Sequence, residues 1–150
     1  MACLGLLPQV GEMCERVLMP PAVVAELAVD VPGLGCVIAV DWPFIDIVEP
    51  AAAAVARLGL THHGRGEAAA IALAVERGVQ ILLVDDRGAR LAATSCGLTP
   101  LGTLGLLVQA KHQGRIEAVS PLIDRLVKDI GFRISPAVRR EVLRIAREQA

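Results

Sequence analysis

Short apolar runs alternate with longer helix-forming stretches along most of this chain. Residues 44–48 alternate between apolar and polar side chains, a pattern typical of a strand. Residues 80–84 are a nearly continuous apolar run, which predicts a strand buried on both faces. Short apolar runs also occupy 17–19, which ends at two prolines, and 99–101, which we predict to be a strand.

Helix-forming stretches lie between these runs. Residues 67–77 contain strong helix formers throughout, and Gly78 follows where helices commonly end in a left-handed residue. Two Ser-Pro pairs, at Ser120 and Ser135, each combine a capping residue with a proline suited to the first helical turn. The predicted helices cover 22–29, 51–58, 67–77, 90–96, 103–113, 121–130 and 136–148, with loops at 32–35 and 61–66.

The order of these elements predicts an α/β fold. Strands alternate with helices up to about residue 113, which implies right-handed crossovers and a parallel sheet. Two further helices follow, so we expect a single domain over 1–150 in which 115–150 form a C-terminal helical extension. The sequence contains no GxGxxG or GxxxxGK[ST] loop, which argues against classical dinucleotide and P-loop phosphate binding.

Residues 91–110 carry no charged side chain, yet they do not predict a membrane span. Glycines and a proline interrupt the segment, so we interpret it as a helix end, a strand and a helix start. The first residues also lack the basic region of a signal peptide. We therefore expect a cytoplasmic protein without membrane association.

Composition narrows the class of protein further. The chain has 150 residues, of which 54% are hydrophobic and 2% aromatic, so its core must be aliphatic. These values exclude a disordered chain, a collagen-like repeat and a disulfide-stapled miniprotein. The scarcity of aromatic rings also argues against an RNA-stacking platform.

Charge and cysteine placement leave two points open. Residues 1–110 carry 6 basic and 11 acidic side chains, whereas 111–150 carry 9 basic and 5 acidic ones. The basic tail either contacts an anionic polymer or forms a solvated, salt-bridged helix, and charge alone favours the second interpretation. The cysteines lack the spacing of a zinc site, so we expect reduced, buried thiols at Cys3, Cys14, Cys36 and Cys96.

Four acidic residues are candidates for metal chemistry. Asp85 and Asp86 follow the predicted strand 80–84, and sites in parallel sheets form at the carboxyl ends of strands. Adjacent carboxylates attract hard divalent cations, although the pair alone is better explained by Asp86 as a helix cap and Asp85 in a hydrogen bond or salt bridge. Glu67 begins a helix, where the dipole alone favours an acid, and Glu26 lies in an otherwise apolar helix.

Other polar residues are weaker candidates. Arg87 and Arg90 either pair with the acids or hold a phosphate. His62-His63 is better explained as an exposed loop pair than as a metal site, because no third ligand is spaced with it. Ser95-Cys96 has no nearby histidine, which argues against nucleophilic catalysis.

Five motifs in this order resemble the PIN-domain family over almost the whole chain. Each motif alone is weak, but the ordered set is specific, and it is most similar to PIN-like, nucleic-acid-binding proteins of prokaryotes. The motifs are VLMPPAVVAEL (17–27), GEAAAIALA (66–74), LLVDDRGAR (82–90), LGTLGLL (101–107) and GFRISP (131–136).

The resemblance implies a three-layer α/β/α sandwich around a parallel sheet. It implies an endoribonuclease dependent on Mg²⁺ or Mn²⁺, related to the VapC toxins of toxin–antitoxin pairs, with RNA and an antitoxin protein as partners. By position in the family's motifs, Glu26, Glu67 and Asp85 would be the catalytic metal ligands. Asp86 is an additional candidate ligand, and Thr103 stands where the family often has a further polar or acidic residue.

The chain departs from the family pattern at its first residues. Family members begin with a strand that carries a metal-binding aspartate, whereas residues 1–7 match the segment after that strand. Either the true start lies upstream, or the chain has lost its site and persists as an inactive PIN-like binding module. Loss of a central strand would leave its neighbours with unpaired edges. A homodimer or strand exchange that covers those edges is our hypothesis.

Overall fold

The computed structural model describes residues 4–27 and 42–149. Within these residues it contains eight helices and four short parallel strands in two small sheets, which confirms the α/β class and is consistent with an α/β/α fold. In chain order the elements are α1 (Leu7–Met13), β1 (Val17–Met19), α2 (Pro21–Leu27), β2 (Ile45–Ile47), α3 (Ala54–Arg57), α4 (Arg65–Arg77), β3 (Ile81–Leu83), α5 (Arg87–Ser95), β4 (Thr99–Leu101), α6 (Thr103–His112), α7 (Ser120–Ile130) and α8 (Pro136–Ile145).

The chain divides into two compact units, one formed by 14–102 and the other by 1–13 with 103–150. In the unit 14–102, β1 pairs in parallel with β2 and β3 pairs in parallel with β4. Helix α4 is central to this unit, since it contacts α2, α3, α5, β1 and β3. Its buried face is largely alanine, which allows the neighbouring elements to approach closely.

The sequence prediction for strand β3 is wrong in one respect. Ile81 and Leu83 are 54% and 43% exposed, and only Leu82 is buried. Successive side chains of a strand point to opposite faces, and Leu82 alone lies on the face that joins the core beneath α4 and α5. Strand β3 is therefore covered on one face, not on both.

The unit formed by 1–13 and 103–150 is helical. Its core combines Leu4 and Leu6 with buried residues of α6, α7 and α8, among which Leu107, Ile123 and Leu143 are almost completely inaccessible. The 111–150 tail therefore contributes buried residues to this core.

Helix α7 begins differently from the prediction. Ser120 lies inside the helix and Val119 precedes it, with no side-chain cap hydrogen bond from Val119. Instead, the Glu148 carboxylate accepts hydrogen bonds from the backbone N–H groups of Val119 and Ser120, at 2.6 and 2.9 Å. Ser135 does cap α8 as predicted, because its Oγ accepts a hydrogen bond from the Val138 N–H.

Most other predicted elements are confirmed, with shifted ends. Helix α4 starts two residues earlier than predicted and ends at Gly78, which has φ 65°. Helix α3 is only four residues long, and α1 was not predicted. The last two residues of the predicted helix 22–29 and the predicted loop 32–35 lie outside the described residues.

The uncharged segment 91–110 folds as predicted into the end of α5, strand β4 and the start of α6. In the described part of the chain, no helix has the length and apolar character needed to cross a bilayer.

Candidate functional site

The carboxylate of Glu26 docks on the first turn of α4. Glu26 is exposed near the end of α2, and its Oε1 accepts a hydrogen bond of 2.9 Å from the Gly66 N–H. The bond joins residues 40 positions apart in the sequence, and the packing of α2 against α4 makes it possible. The first N–H groups of a helix lack intrahelical partners, so a carboxylate there is favourable.

Glu67 places a second carboxylate at the same end of α4. It is the third residue of the helix and half-buried, and its side chain folds back over Gly64, the residue that precedes the helix. A Cβ built on Gly64 would lie only 3.0 Å from Glu67 Cδ. The structure thus brings Glu26 and Glu67 onto two glycines that are separated by a single residue.

Asp85 lies where β3 and β4 end. Its Oδ1 and the Arg90 Nη1 both lie over Gly102, since a Cβ built on that glycine would be 2.8 and 3.1 Å from them. Arg90 also donates from Nη1 to the Val84 carbonyl oxygen at 3.1 Å, which fixes its guanidinium beside the end of β3. This is the carboxyl edge of a parallel strand pair, as the sequence predicted.

Asp86 is the N-cap of α5. Its Oδ1 accepts a hydrogen bond of 2.8 Å from the Ala89 N–H, and its backbone is extended, as in an ordinary N-cap. Of the two roles that the sequence left open for Asp86, this geometry favours the structural one.

We expect Asp86→Ala to lower the free energy of unfolding by about 1 kcal/mol, because it removes the cap of α5. Asp86→Ser keeps a capping oxygen and should retain most of that stability. Urea denaturation of both variants measures the difference. A Ser variant that is stable but binds Mn²⁺ more weakly than the wild type would instead support the ligand role.

The remaining candidates lie on several different elements. Arg87 is the exposed first residue of α5, and Thr103 is the first residue of α6 in the other compact unit. The His63 ring lies near Gly88, with Cε1 3.9 Å from a Cβ built there. The Ser95 hydroxyl donates to the Leu91 carbonyl at 3.0 Å, as a helix side chain commonly does.

Two of the cysteines lie among the described residues. Cys14 and Cys96 are free thiols, and both are half-buried. The other two, Cys3 and Cys36, lie outside the described residues.

The basic tail is extensively ion-paired. Between residues 111 and 149, all of which the structure describes, five of the nine basic side chains form ion pairs within their own unit. These side chains are Lys111, Arg115, Arg125, Arg139 and Arg144. The structure therefore favours the salt-bridged interpretation of this segment.

The acids suit a hard divalent cation by chemistry. Among residues 4–27 and 42–149, no three His, Cys, Asp or Glu side chains are grouped closely enough to hold a metal ion by themselves. Mg²⁺ rarely needs such a cage, because it keeps several waters and is commonly bound through one or two carboxylates plus substrate phosphates. Glu26 and Glu67 place two carboxylates at the first turn of α4, which fits that mode of binding.

Sequence reasoning missed the glycines on which these acids rest. Gly64 and Gly66 flank Arg65 at the start of a strongly helical segment, where glycine weakens a helix. A glycine placed in this way commonly has a packing or functional reason. This was the signal in the sequence that could have identified Gly64 and Gly66.

Comparison with known proteins gives one match. The family model described as PIN domain matches residues 1–148. No curated protein and no solved structure matches.

Proposed function

We propose that this chain, which belongs to the PIN-domain family, is an endoribonuclease that depends on Mg²⁺ or Mn²⁺. The family is nuclease-like and its members generally depend on divalent metals. The observation that carries the proposal is that the carboxylates of Glu26 and Glu67 both lie at the first turn of α4. Glu26 and Gly66 are 40 positions apart in the sequence, so it is the packing of α2 on α4 that places the Glu26 carboxylate at this helix end.

In the proposed site, Glu26 and Glu67 supply the carboxylate oxygens that contact the ion, and Asp85 acts through a water that the ion keeps. A bound divalent ion supplies Lewis-acid chemistry, lowering the pKa of water and neutralising charge on the phosphate. The Gly66 N–H orients the Glu26 carboxylate, and the partial positive charge at the start of α4 favours both acids. The reaction is hydrolysis of an RNA phosphodiester, in which water adds to phosphorus and a P–O bond breaks.

Arginines beside the acids supply contacts to the substrate in this proposal. Arg90 is held beside Asp85 by its bond to the Val84 carbonyl, and Arg87 is exposed at the start of the next helix. Guanidinium groups bind phosphate oxygens through paired hydrogen bonds. The substrate contact that the family motif implies for Thr103, at the start of α6, stays a prediction.

The test is cleavage of a fluorescent RNA by the full chain with Mg²⁺ or Mn²⁺. We expect cleavage that EDTA abolishes and added Mn²⁺ restores, and that Asp85→Asn reduces at least tenfold, since removing this carboxylate weakens metal binding. Metal-independent cleavage that survives in Asp85→Asn would point to a contaminant. Absence of cleavage with either ion would contradict the proposal.

The second candidate is a PIN-like module that binds without catalysis. It is favoured by the absence of a three-residue metal cluster from the described part of the chain. RNA binding measured by fluorescence anisotropy, without cleavage and without any effect of Mn²⁺, would support it over the first.

The same proposal extends to biological context. We propose that the nuclease is the cytoplasmic toxin of a toxin–antitoxin pair, with an antitoxin protein and a second copy of the chain as partners. The exposed Ile81 and Leu83 of β3 support self-association. Induced expression should arrest bacterial growth for the wild type but not for Asp85→Asn, and sedimentation velocity should show a dimer.

A further inference from the structure

Three glycines lie directly against the three acids of the proposed metal site. A Cβ built on Gly66 would lie 2.8 Å from Glu26 Cδ and 2.9 Å from its Oε1. Over Gly64 the nearest atoms belong to the Glu67 carboxylate, and over Gly102 the nearest is Asp85 Oδ1, at 2.8 Å. Real Cβ atoms essentially never approach another heavy atom within 3.0 Å, so a side chain at any of these positions would displace the acid.

These glycines differ from most others in the described chain. Six glycines have φ between 65° and 78°, a conformation that L residues rarely adopt, and no atom lies within 4 Å of a Cβ built on them. They are Gly5, Gly59, Gly78, Gly97, Gly114 and Gly131. Gly64, Gly66 and Gly102 have no such backbone requirement, and Gly66 weakens the helix in which it lies.

Gly66 provides the Glu26 carboxylate with both a donor and the space to reach it. The N–H binds Oε1 at 2.9 Å, and the missing side chain leaves room for the rest of the carboxylate above the helix. The colliding atoms are the far end of a flexible side chain and not backbone. An alanine at this position would therefore turn Glu26 away without disturbing the fold.

We propose that Gly66 and Gly64 are positioning residues, whose bare backbone seats the Glu26 and Glu67 carboxylates in the orientation that holds the divalent ion. The effect on metal binding rests on the proposed function, but the contacts between the two carboxylates and the two glycines are a property of the fold alone. A glycine with a purely structural role would lower stability when replaced. Replacing Gly66 or Gly64 is instead expected to weaken metal binding while the stability of the protein is retained.

The test is Mn²⁺ binding to the full chain, measured by isothermal titration calorimetry. Gly66→Ala should weaken Mn²⁺ affinity about tenfold or more, as displaced supporting groups do at metal sites. Its Tm should stay within about 3 °C of the wild type or rise, because alanine favours the helix. In a Glu26→Gln background, the same change should cause no further loss of affinity. Wild-type affinity in Gly66→Ala would overturn the proposal.

Gly88→Ala is the matched control. Gly88 follows Arg87 as the second residue of α5, just as Gly66 follows Arg65 in α4. A Cβ at Gly88 would be 3.2 Å from Asp86 Oδ1, so only a small adjustment is needed. We expect its Mn²⁺ affinity to equal that of the wild type, and an equal loss in both alanine variants would contradict a specific role for Gly66.

Gly64→Ala keeps the proposal testable if Gly66→Ala does not fold. Gly64 is exposed and has φ −55° and ψ 150°, which alanine adopts freely, so folding should not be affected. The Cβ displaces Glu67 in the same way, and a comparable loss of Mn²⁺ affinity is expected. Unchanged affinity in this variant would overturn the seating of Glu67.

A metal-free measurement separates this inference from the proposed function. Glu26→Gln should shift the amide resonance of residue 66 in ¹H–¹⁵N spectra of the wild type, but not in the Gly66→Ala background, where the contact is broken. No shift in either background would overturn the seating. If the shift is present but the wild type neither binds Mn²⁺ nor cleaves RNA, the seating stands and the nuclease proposal fails.

Discussion

Glu26→Gln is expected to lower the rate of metal-dependent RNA cleavage about 100-fold or more, because it removes a charged ligand oxygen. The amide is nearly the same size as the carboxylate, and its carbonyl oxygen can still accept the hydrogen bond from the Gly66 N–H. The variant should therefore fold like the wild type. Single-turnover cleavage at saturating Mn²⁺, with thermal unfolding alongside, measures the two effects separately.

Glu76→Gln is the control for this prediction. Glu76 lies near the other end of α4, and its Oε2 likewise accepts a backbone hydrogen bond, from the Ala51 N–H at 2.7 Å. The two variants thus make the same chemical change to a carboxylate that accepts a backbone N–H, one near each end of α4. Cleavage by Glu76→Gln should stay within about twofold of the wild type, as expected of a surface change away from the reacting groups. An equal loss of cleavage rate in both variants would mean that Glu26 is not part of the site.

Glu148→Ala is expected to lower the free energy of unfolding by about 2–3 kcal/mol, since it leaves a half-buried lysine and two backbone N–H groups without their partner. The Glu148 carboxylate pairs with Lys111 Nζ at 2.6 Å and accepts the two N–H groups at the start of α7. Its side chain is only 13% exposed, and that of Lys111 is 21% exposed. Denaturant unfolding at pH 7 measures the loss.

The stability contributed by Glu148 should also depend on pH. Burial raises the pKa of this carboxyl, but the hydrogen bonds from Lys111, Val119 and Ser120 outweigh it and hold the pKa below its ordinary value. A lowered folded-state pKa contributes stability that is present above the unfolded value, about 4.3, and is lost as pH falls through the folded value. The gap in stability between wild type and Glu148→Ala should narrow progressively as the pH falls below about 4.3.

Glu141→Ala is the matched control for Glu148, because Glu141 also pairs with a basic residue of the same tail. Its partner, Arg144, lies one helical turn away at 2.6 Å, and both side chains are largely exposed. Exposed pairs contribute little, so the variant should unfold close to the wild type. If Glu148→Ala behaved in the same way, the carboxylate would not be anchoring α7.

Local sequence patterns predicted where the helices and strands lie, but not which of their side chains are buried or which residues cap them. The continuous apolar run at 80–84 correctly located β3, yet Ile81 and Leu83 are exposed, because burial depends on what packs over each face. Ser120 has the sequence of a helix cap, but the helix starts one residue earlier than a Ser120 cap would require, and Glu148 takes its first N–H groups. Neither outcome is encoded within a few residues of the element concerned.

The candidate site was also predicted only in part from the sequence. The sequence singled out Glu67 and Asp85 by their places at a helix start and a strand end, and the family motifs added Glu26, but the role of Asp86 stayed open between ligand and helix cap. The structure distinguishes them, because Asp86 turns to the Ala89 N–H and Asp85 lies over Gly102. Side-chain direction after a strand depends on the turn that follows, which spacing alone does not specify.

The sequence by itself determined the α/β order of elements, the approximate positions of most helices and the family, because periodicity, capping residues and ordered motifs are properties of nearby residues. Only the tertiary structure decided that Glu26 rests on Gly66 and that Glu148 closes the start of α7. These contacts join residues 40 and 28 positions apart. These contacts form only when α2 packs on α4 and α8 packs on α6. The positions of the two carboxylates therefore depend on tertiary packing and not on the spacing of residues in the sequence.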